Sequence, residues 1–101
     1  MKISWIVTLL ALIVVGCTVS KTKLTSKGQA IEVLDNKPGK DCFVVAKVVG
    51  ENDEGSVDLA RNHARNLAAK LEADSIFIDQ EVPNGNNMNV YATAYTCNQS
   101  N

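Results

Sequence analysis

Three patterns of apolar and polar residues divide the chain. Residues 3–15 are almost continuously apolar, and residues 18–28 are rich in Thr, Ser and Lys with no apolar period. From residue 29 onward short periodic stretches alternate with turn residues. In that last part, residues 30–34 alternate partly and predict a short strand. Asn36, Lys37, Pro38 and Gly39 follow as a turn, Pro setting one φ and Gly permitting a positive one. Residues 42–49 are the most apolar run of the domain, interrupted only by Lys47. Apolar side chains on both faces predict a central strand covered on at least one side.

The period then changes. Ser56 is the expected N-cap of a helix, with Asp58 favourably placed in its first turn. Val57, Ala60, Ala64, Leu67, Ala68 and Leu71 recur at helical spacing, while Arg61, Asn62, Arg65, Asn66 and Lys70 are expected to face away. The stripe is mostly alanine, which lets the helix approach a sheet closely. Its exit at Glu72 and Ala73 leads straight into the next strand, so Glu72 is expected in the left-handed conformation that glycine adopts more easily. Residues 75–82 and 88–97 read as two strands joined by a hairpin over residues 83–87. Val90, Ala92 and Ala94 share one face of the last strand, and Tyr91, Thr93 and Tyr95 share the other.

The apolar run at the start has a different meaning. It follows a positive Met1-Lys2 and ends in Val14-Val15-Gly16-Cys17. A spanning helix needs about 20 apolar residues, so this run predicts a signal sequence instead. Its end resembles the lipobox of bacterial lipoproteins, in which the cysteine thiol carries a diacylglyceryl group and the new amino terminus is acylated. The resemblance implies removal of residues 1–16, lipidation of Cys17, and attachment to a membrane through that lipid. Several acyl chains at about 0.8 kcal/mol per buried CH₂ make a stable anchor. Thr18 stands where an inner-membrane retention signal would place Asp, so the resemblance to sorted lipoproteins implies the periplasmic face of an outer membrane.

With the leader removed, composition changes the picture. The overall 46% hydrophobic content falls to an ordinary value for one small domain, and the net charge of −1 becomes −2 with the loss of Lys2. Residues 17–28 are expected to be the lipidated Cys and a solvated tether, at most roughly 40 Å long over 18–28 when extended. Lys21, Lys23 and Lys27 in it have no acid among them, and could lie against anionic headgroups at roughly 1 kcal/mol each. The folded part, residues 29–101, is acidic, which argues against a nucleic-acid partner.

Lipidation of Cys17 would leave Cys42 and Cys97 as an even pair in an oxidising compartment. They are expected to join, with two free thiols or a bond to another protein as the alternatives. Cys42 opens the second strand and Cys97 closes the fourth, so their union would make those strands antiparallel neighbours. Adding two hairpins gives an α+β fold, ββαββ, with a mainly antiparallel four-stranded sheet in the order 1-2-4-3 and one helix on one face.

Three segments carry a further resemblance: Asp41-Cys42-Phe43-Val44-Val45-Ala46-Lys47-Val48-Val49-Gly50, the helix end Asn66-Leu67-Ala68-Ala69-Lys70-Leu71-Glu72-Ala73-Asp74, and Ala92-Thr93-Ala94-Tyr95-Thr96-Cys97. Together they resemble the small uncharacterised bacterial lipoproteins related to the outer-membrane sensor lipoprotein of the Rcs phosphorelay. The resemblance implies a compact disulfide-bonded α/β domain displayed at the envelope and no catalytic residues. The sensor itself has two disulfides and a long proline-rich tether, which this chain lacks, and members commonly place Gly where Glu72 stands. The members of unknown function are the closer match.

Candidate chemistry is sparse. His63 is the only histidine and lies on the flank of the helix stripe, where a boundary role is expected rather than catalysis or metal binding. No glycine-rich phosphate loop appears, and no metal or cofactor is expected. Asp53-Glu54 and Asp79/Glu81 read as loop and exposed-strand charges. Asn98-Gln99-Ser100 matches a glycosylation acceptor by chance. The expected function is a non-catalytic envelope interaction or stress-sensing module that binds envelope proteins or other components. Tyr91, Thr93 and Tyr95 are its expected face, although such residues also stabilise sheets through cross-strand pairs. The alternative, a small-molecule-binding or enzymatic periplasmic domain, requires a pocket that the residue pattern does not advertise.

Overall fold

A computed structural model of the chain describes residues 20–97. The leader, Cys17, Thr18 and the Asn98 acceptor lie outside the described residues. Six elements follow in order: a single helical turn α1 (Ser26–Gln29), β1 (Glu32–Leu34), β2 (Phe43–Asn52), α2 (Val57–Lys70), β3 (Ser75–Asn84) and β4 (Asn87–Thr96). The architecture is α+β, a four-stranded sheet with its main helix on one face and the Cys42–Cys97 disulfide closing one end.

Local signals act where they were read. Ser56 Oγ accepts from the Leu59 N–H at 3.2 Å, capping α2. At the other end Glu72 has φ +65°, Ala73 N–H donates to Ala68 O at 3.1 Å, and Glu72 N–H donates to Ala69 O at 3.0 Å. These two bonds close a Schellman motif around a residue that is not glycine. The β3–β4 hairpin is tighter than expected. Asn84 pairs with Asn87, and Gly85 at the first central position has φ +63°, as a type II′ turn requires.

The helix lies directly on β2 and β4. Ala60, Ala64 and Ala68 are fully buried against Val48, Val90, Ala92, Ala94 and Ile76. Gly50 sits beneath them, and a Cβ there would clash with Ala60 O and lie 2.6 Å from Ala64 N. Small residues on both sides are therefore what brings helix and sheet into contact. Leu71, expected in the stripe, is exposed because the helix has already ended beside it, and Asn66, expected outside, is buried.

The strand order is β1-β3-β4-β2, which corrects the expected 1-2-4-3. The β2–β4 and β3–β4 pairs are antiparallel as expected, with Phe43 opposite Thr96 beside the disulfide. The correction concerns β1, which pairs in parallel with β3, Val33 opposite Ile76, instead of forming a hairpin with β2. The cause lies upstream. Residues 20–28, expected as a solvated tether, are docked along α2 and deliver the chain to the β3 side. Arg65 Nη2 donates to Gln29 O (2.9 Å) and Ile31 O (3.2 Å), and Glu32 N–H donates to Asp74 O at 3.0 Å. Ile31 is buried there in the main core. The turn at Asn36–Gly39 reads as a change of direction but does not say which strand the chain joins. As a consequence β2, expected to be central, is an edge strand.

Candidate interaction surfaces

β4 is central, and this decides the fate of the expected Tyr-Thr-Tyr face. Tyr95 lies between Val44 and Ser75, and Thr93 between Lys47 and Phe77. Flanked on both sides, Thr93 is only 3% exposed and Tyr95 only 4%. Thr93 Oγ1 donates to Asp79 Oδ2 at 2.7 Å. Tyr91 alone remains open, at 40%. Of the expected three-residue face only Tyr91 is therefore exposed, although it too is paired on both sides, with Val49 and Gln80.

Exposed apolar area gathers instead along β2. Phe43 (59%), Val44 (63%), Val45 and Val49 are all open, and Tyr91 pairs with Val49. The register slips between Val44 and Ala46, so Val45 is an extra residue in a bulge that re-aims the strand. Being an edge, β2 also has backbone N–H and C=O groups that no strand takes up. One of them is covered: Glu51 N–H donates to His63 Nδ1 at 2.9 Å. Burial lowers the His63 pKa below its ordinary 6.5, helped by Lys21 and Lys70 and opposed by Glu51. The neutral imidazole is the form that can accept this bond. His63 thus has a structural task at the helix boundary.

The start of β2 is tied down by the disulfide, whose sulfurs are 2.08 Å apart. Cys97 N–H donates to both Asp74 oxygens, at 2.9 and 3.0 Å. Among the other acids, Glu81 accepts from Arg61 Nε at 2.6 Å, joining β3 to α2, and Glu51 lies 3.4 Å from Lys21 Nζ. Among the described residues no group of three His, Cys, Asp or Glu side chains is arranged to hold a metal, and no helix is long and apolar enough to cross a membrane.

A second surface runs along the seam between residues 20–28 and α2. Its hub is Asn66. The side-chain Nδ2 donates to Lys21 O (3.1 Å) and Lys23 O (2.8 Å), and Oδ1 accepts from Thr25 N–H (3.0 Å) and Thr25 Oγ1 (3.1 Å). Gly28 is buried against the same amide, where a Cβ would clash with Oδ1. Two open grooves follow the seam. One of about 540 Å³ is bordered by Ser26, Lys27, Lys70 and Glu72, and one of about 310 Å³ by Lys21, His63 and Lys70. Periodicity missed Asn66 because it treats any polar residue as outward. A signal was nevertheless present, since Asn is a poor helix former that competes for backbone groups.

No known protein family matches the chain. The chain is similar to the uncharacterized protein YjeI of Escherichia coli K12, 29% identical over 77 residues, which cover 66% of this chain and 65% of that protein. The proteins of the same name from Escherichia coli O6:H1 and Shigella flexneri match equally. The match thus spans just under two thirds of these relatives' length. No solved structure matches.

Proposed function

We propose that this chain is a lipid-anchored module of the bacterial cell envelope that binds an extended polypeptide segment along β2 and performs no catalysis. The observation that carries the reading is the edge itself. Of the seven large apolar side chains exposed among the described residues, four lie on β2 and a fifth, Tyr91, pairs with it. A strand added to such an edge gains main-chain hydrogen bonds for affinity and side-chain contacts for specificity. Phe43, Val44, Val45, Val49 and Tyr91 would contribute the contacts, and Lys47 at mid-strand favours a segment with an acid opposite it. The leader and Cys17 support attachment to the periplasmic face of an outer membrane. The resemblance to relatives of the Rcs sensor lipoprotein supports a role in reporting envelope stress.

Position-specific photocrosslinking in cells tests the reading. Probes at positions 44 and 49 should capture one partner in common, and probes at positions 37 and 58, exposed elsewhere, should not. Equal capture at all four positions would remove the argument for β2. The anchor is tested separately: Cys17→Ala should abolish palmitate labelling, and normal labelling in that variant would overturn the envelope attachment.

A further inference from the structure

We infer that the seam between residues 20–28 and α2 is a docking surface for an anionic phospholipid bilayer. Charge separation in the domain is the first ground. Residues 20–29 contain Lys21, Lys23 and Lys27 and no acid, while the described residues together carry nine basic and eleven acidic side chains. A net-negative body with a basic segment is favoured in the orientation that turns that segment toward an anionic surface.

The second ground is that the lysines are held in place. As a free tether they would lose conformational entropy on settling against headgroups. Asn66 and Arg65 have already ordered the backbone that carries them. Lys70 from α2 adds a fourth positive charge and borders both grooves, with Lys27 on one side and Lys21 on the other. Acids border it too: Glu51 against Lys21, Glu72 on the rim of the larger groove, Asp53 and Glu54 beyond Ser20 and Thr22, and Asp74 beyond Lys27. The positive charge is therefore concentrated in the two grooves lined by Lys21, Lys27 and Lys70, where Glu72 is the one acid in the lining. The Ser26 hydroxyl lines the larger groove beside Lys27, a pair of donors suited to phosphodiester oxygens.

Position in the chain is the third ground. Cys17 is three residues before Ser20, so a lipid on it would hold the seam within roughly 10 Å of the bilayer. The inference rests on the proposed lipid anchor for this approach alone, because the charged surface exists without it. The anchor then supplies attachment, and the seam sets which way β2 faces.

Sedimentation with vesicles separates the two. The chain from Thr18 to Asn101 contains the whole described core and lacks the lipid site. With its disulfide formed, it should bind vesicles containing phosphatidylglycerol and not vesicles of phosphatidylcholine. Binding should fall steeply as salt rises from about 0.1 M to about 1 M, where the screening length drops from roughly 10 to 3 Å. At roughly fivefold per lysine, the triple change Lys21→Gln, Lys23→Gln, Lys27→Gln should weaken it about a hundredfold. Lys37→Gln, Lys40→Gln, Lys47→Gln, with the same net charge, should leave it nearly unchanged. Circular dichroism of both variants establishes that they are folded, and Lys27→Glu with Lys70→Glu provides a second test at side chains that hold no backbone. Equal loss in the two triple variants, displacement by soluble glycerol phosphate, or no binding to phosphatidylglycerol would overturn the proposal. Vesicle binding with unlabelled Cys17 in cells would sink the anchor and leave the seam standing.

Discussion

The two edges of the sheet solve the same problem in different ways. At one side β1 offers three residues, and at the other β2 offers ten. An unpaired strand edge invites pairing with other chains, and shortness is one way to blunt it. β1 is short and is held from behind by Arg65 and by Glu32 N–H on Asp74 O. β2 is long and apolar, and carries its guards within itself: the bulge at Val45, the charge of Lys47 and the His63 bond at Glu51. The guards are spaced, which leaves short exposed apolar stretches between them, at Phe43 and Val44 and at Val49. A short edge needs few guards. A long edge with spaced guards can be selective.

The largest way to break this contrast is at the disulfide, which pins the first end of the long edge. It closes a loop spanning 55 residues, and the chain-entropy relation gives it about 4 kcal/mol. Cys42→Ser with Cys97→Ser should lower unfolding free energy in urea by about that amount, with amide exchange rising first at the start of β2. A loss confined to β1 would refute the contrast. Asn66→Ala attacks the other side. It deletes the bonds that hold residues 21–25 and leaves part-buried backbone groups of Lys21, Lys23 and Thr25 without this partner, at about 2–3 kcal/mol. Limited proteolysis should then cut first at Lys21 or Lys23, while β2 keeps its protection.

A smaller change should sharpen the fold. Glu72 has φ +65° and adds negative charge at the negative end of α2. Glu72→Gly relieves both and should raise stability by about 1 kcal/mol, seen as a higher melting temperature. A fall would show that Glu72 makes a contact worth more than its strain.

The smallest expected effect comes from pH. The folded state holds the His63 pKa below 6.5, so the unfolded chain takes up the proton more readily. The stability from the neutral form is fully present above about pH 6.5 and is lost as pH falls from there towards the lowered folded value. Protonation also removes the acceptor for Glu51 N–H, so amide exchange at Glu51 should accelerate on acidification. His63→Gln should flatten this pH dependence of exchange, and an unchanged profile would assign it to another group.

Much of the fold was legible because it is written locally. The Ser56 cap, the Ala60–Ala64–Ala68 stripe and the break at Glu72 each depend on a few neighbouring residues, and each stands where periodicity placed it. The candidate site was much less legible. Alternation assigned Tyr91, Thr93 and Tyr95 to one face, and they do share it, yet alternation is silent about how tall the neighbouring strands' side chains are. Thr93, between Lys47 and Phe77 and bonded to Asp79, is buried while Tyr91 is not.

What the amino-acid order determined by itself is therefore the succession of four strands and the main helix, the two ends of that helix, and a cysteine pair able to join the second strand to the last. Each follows from propensity, period or covalent chemistry acting over short range or between two unique partners. Tertiary structure alone decided that β1 leaves β2 for β3. It also decided that β2 becomes an edge, and that residues 20–28, expected in solvent, fasten to Asn66. Those outcomes depend on competition between distant surfaces for the same partner. Asn66 can satisfy several backbone groups at once only because residues far apart in the chain reach it together.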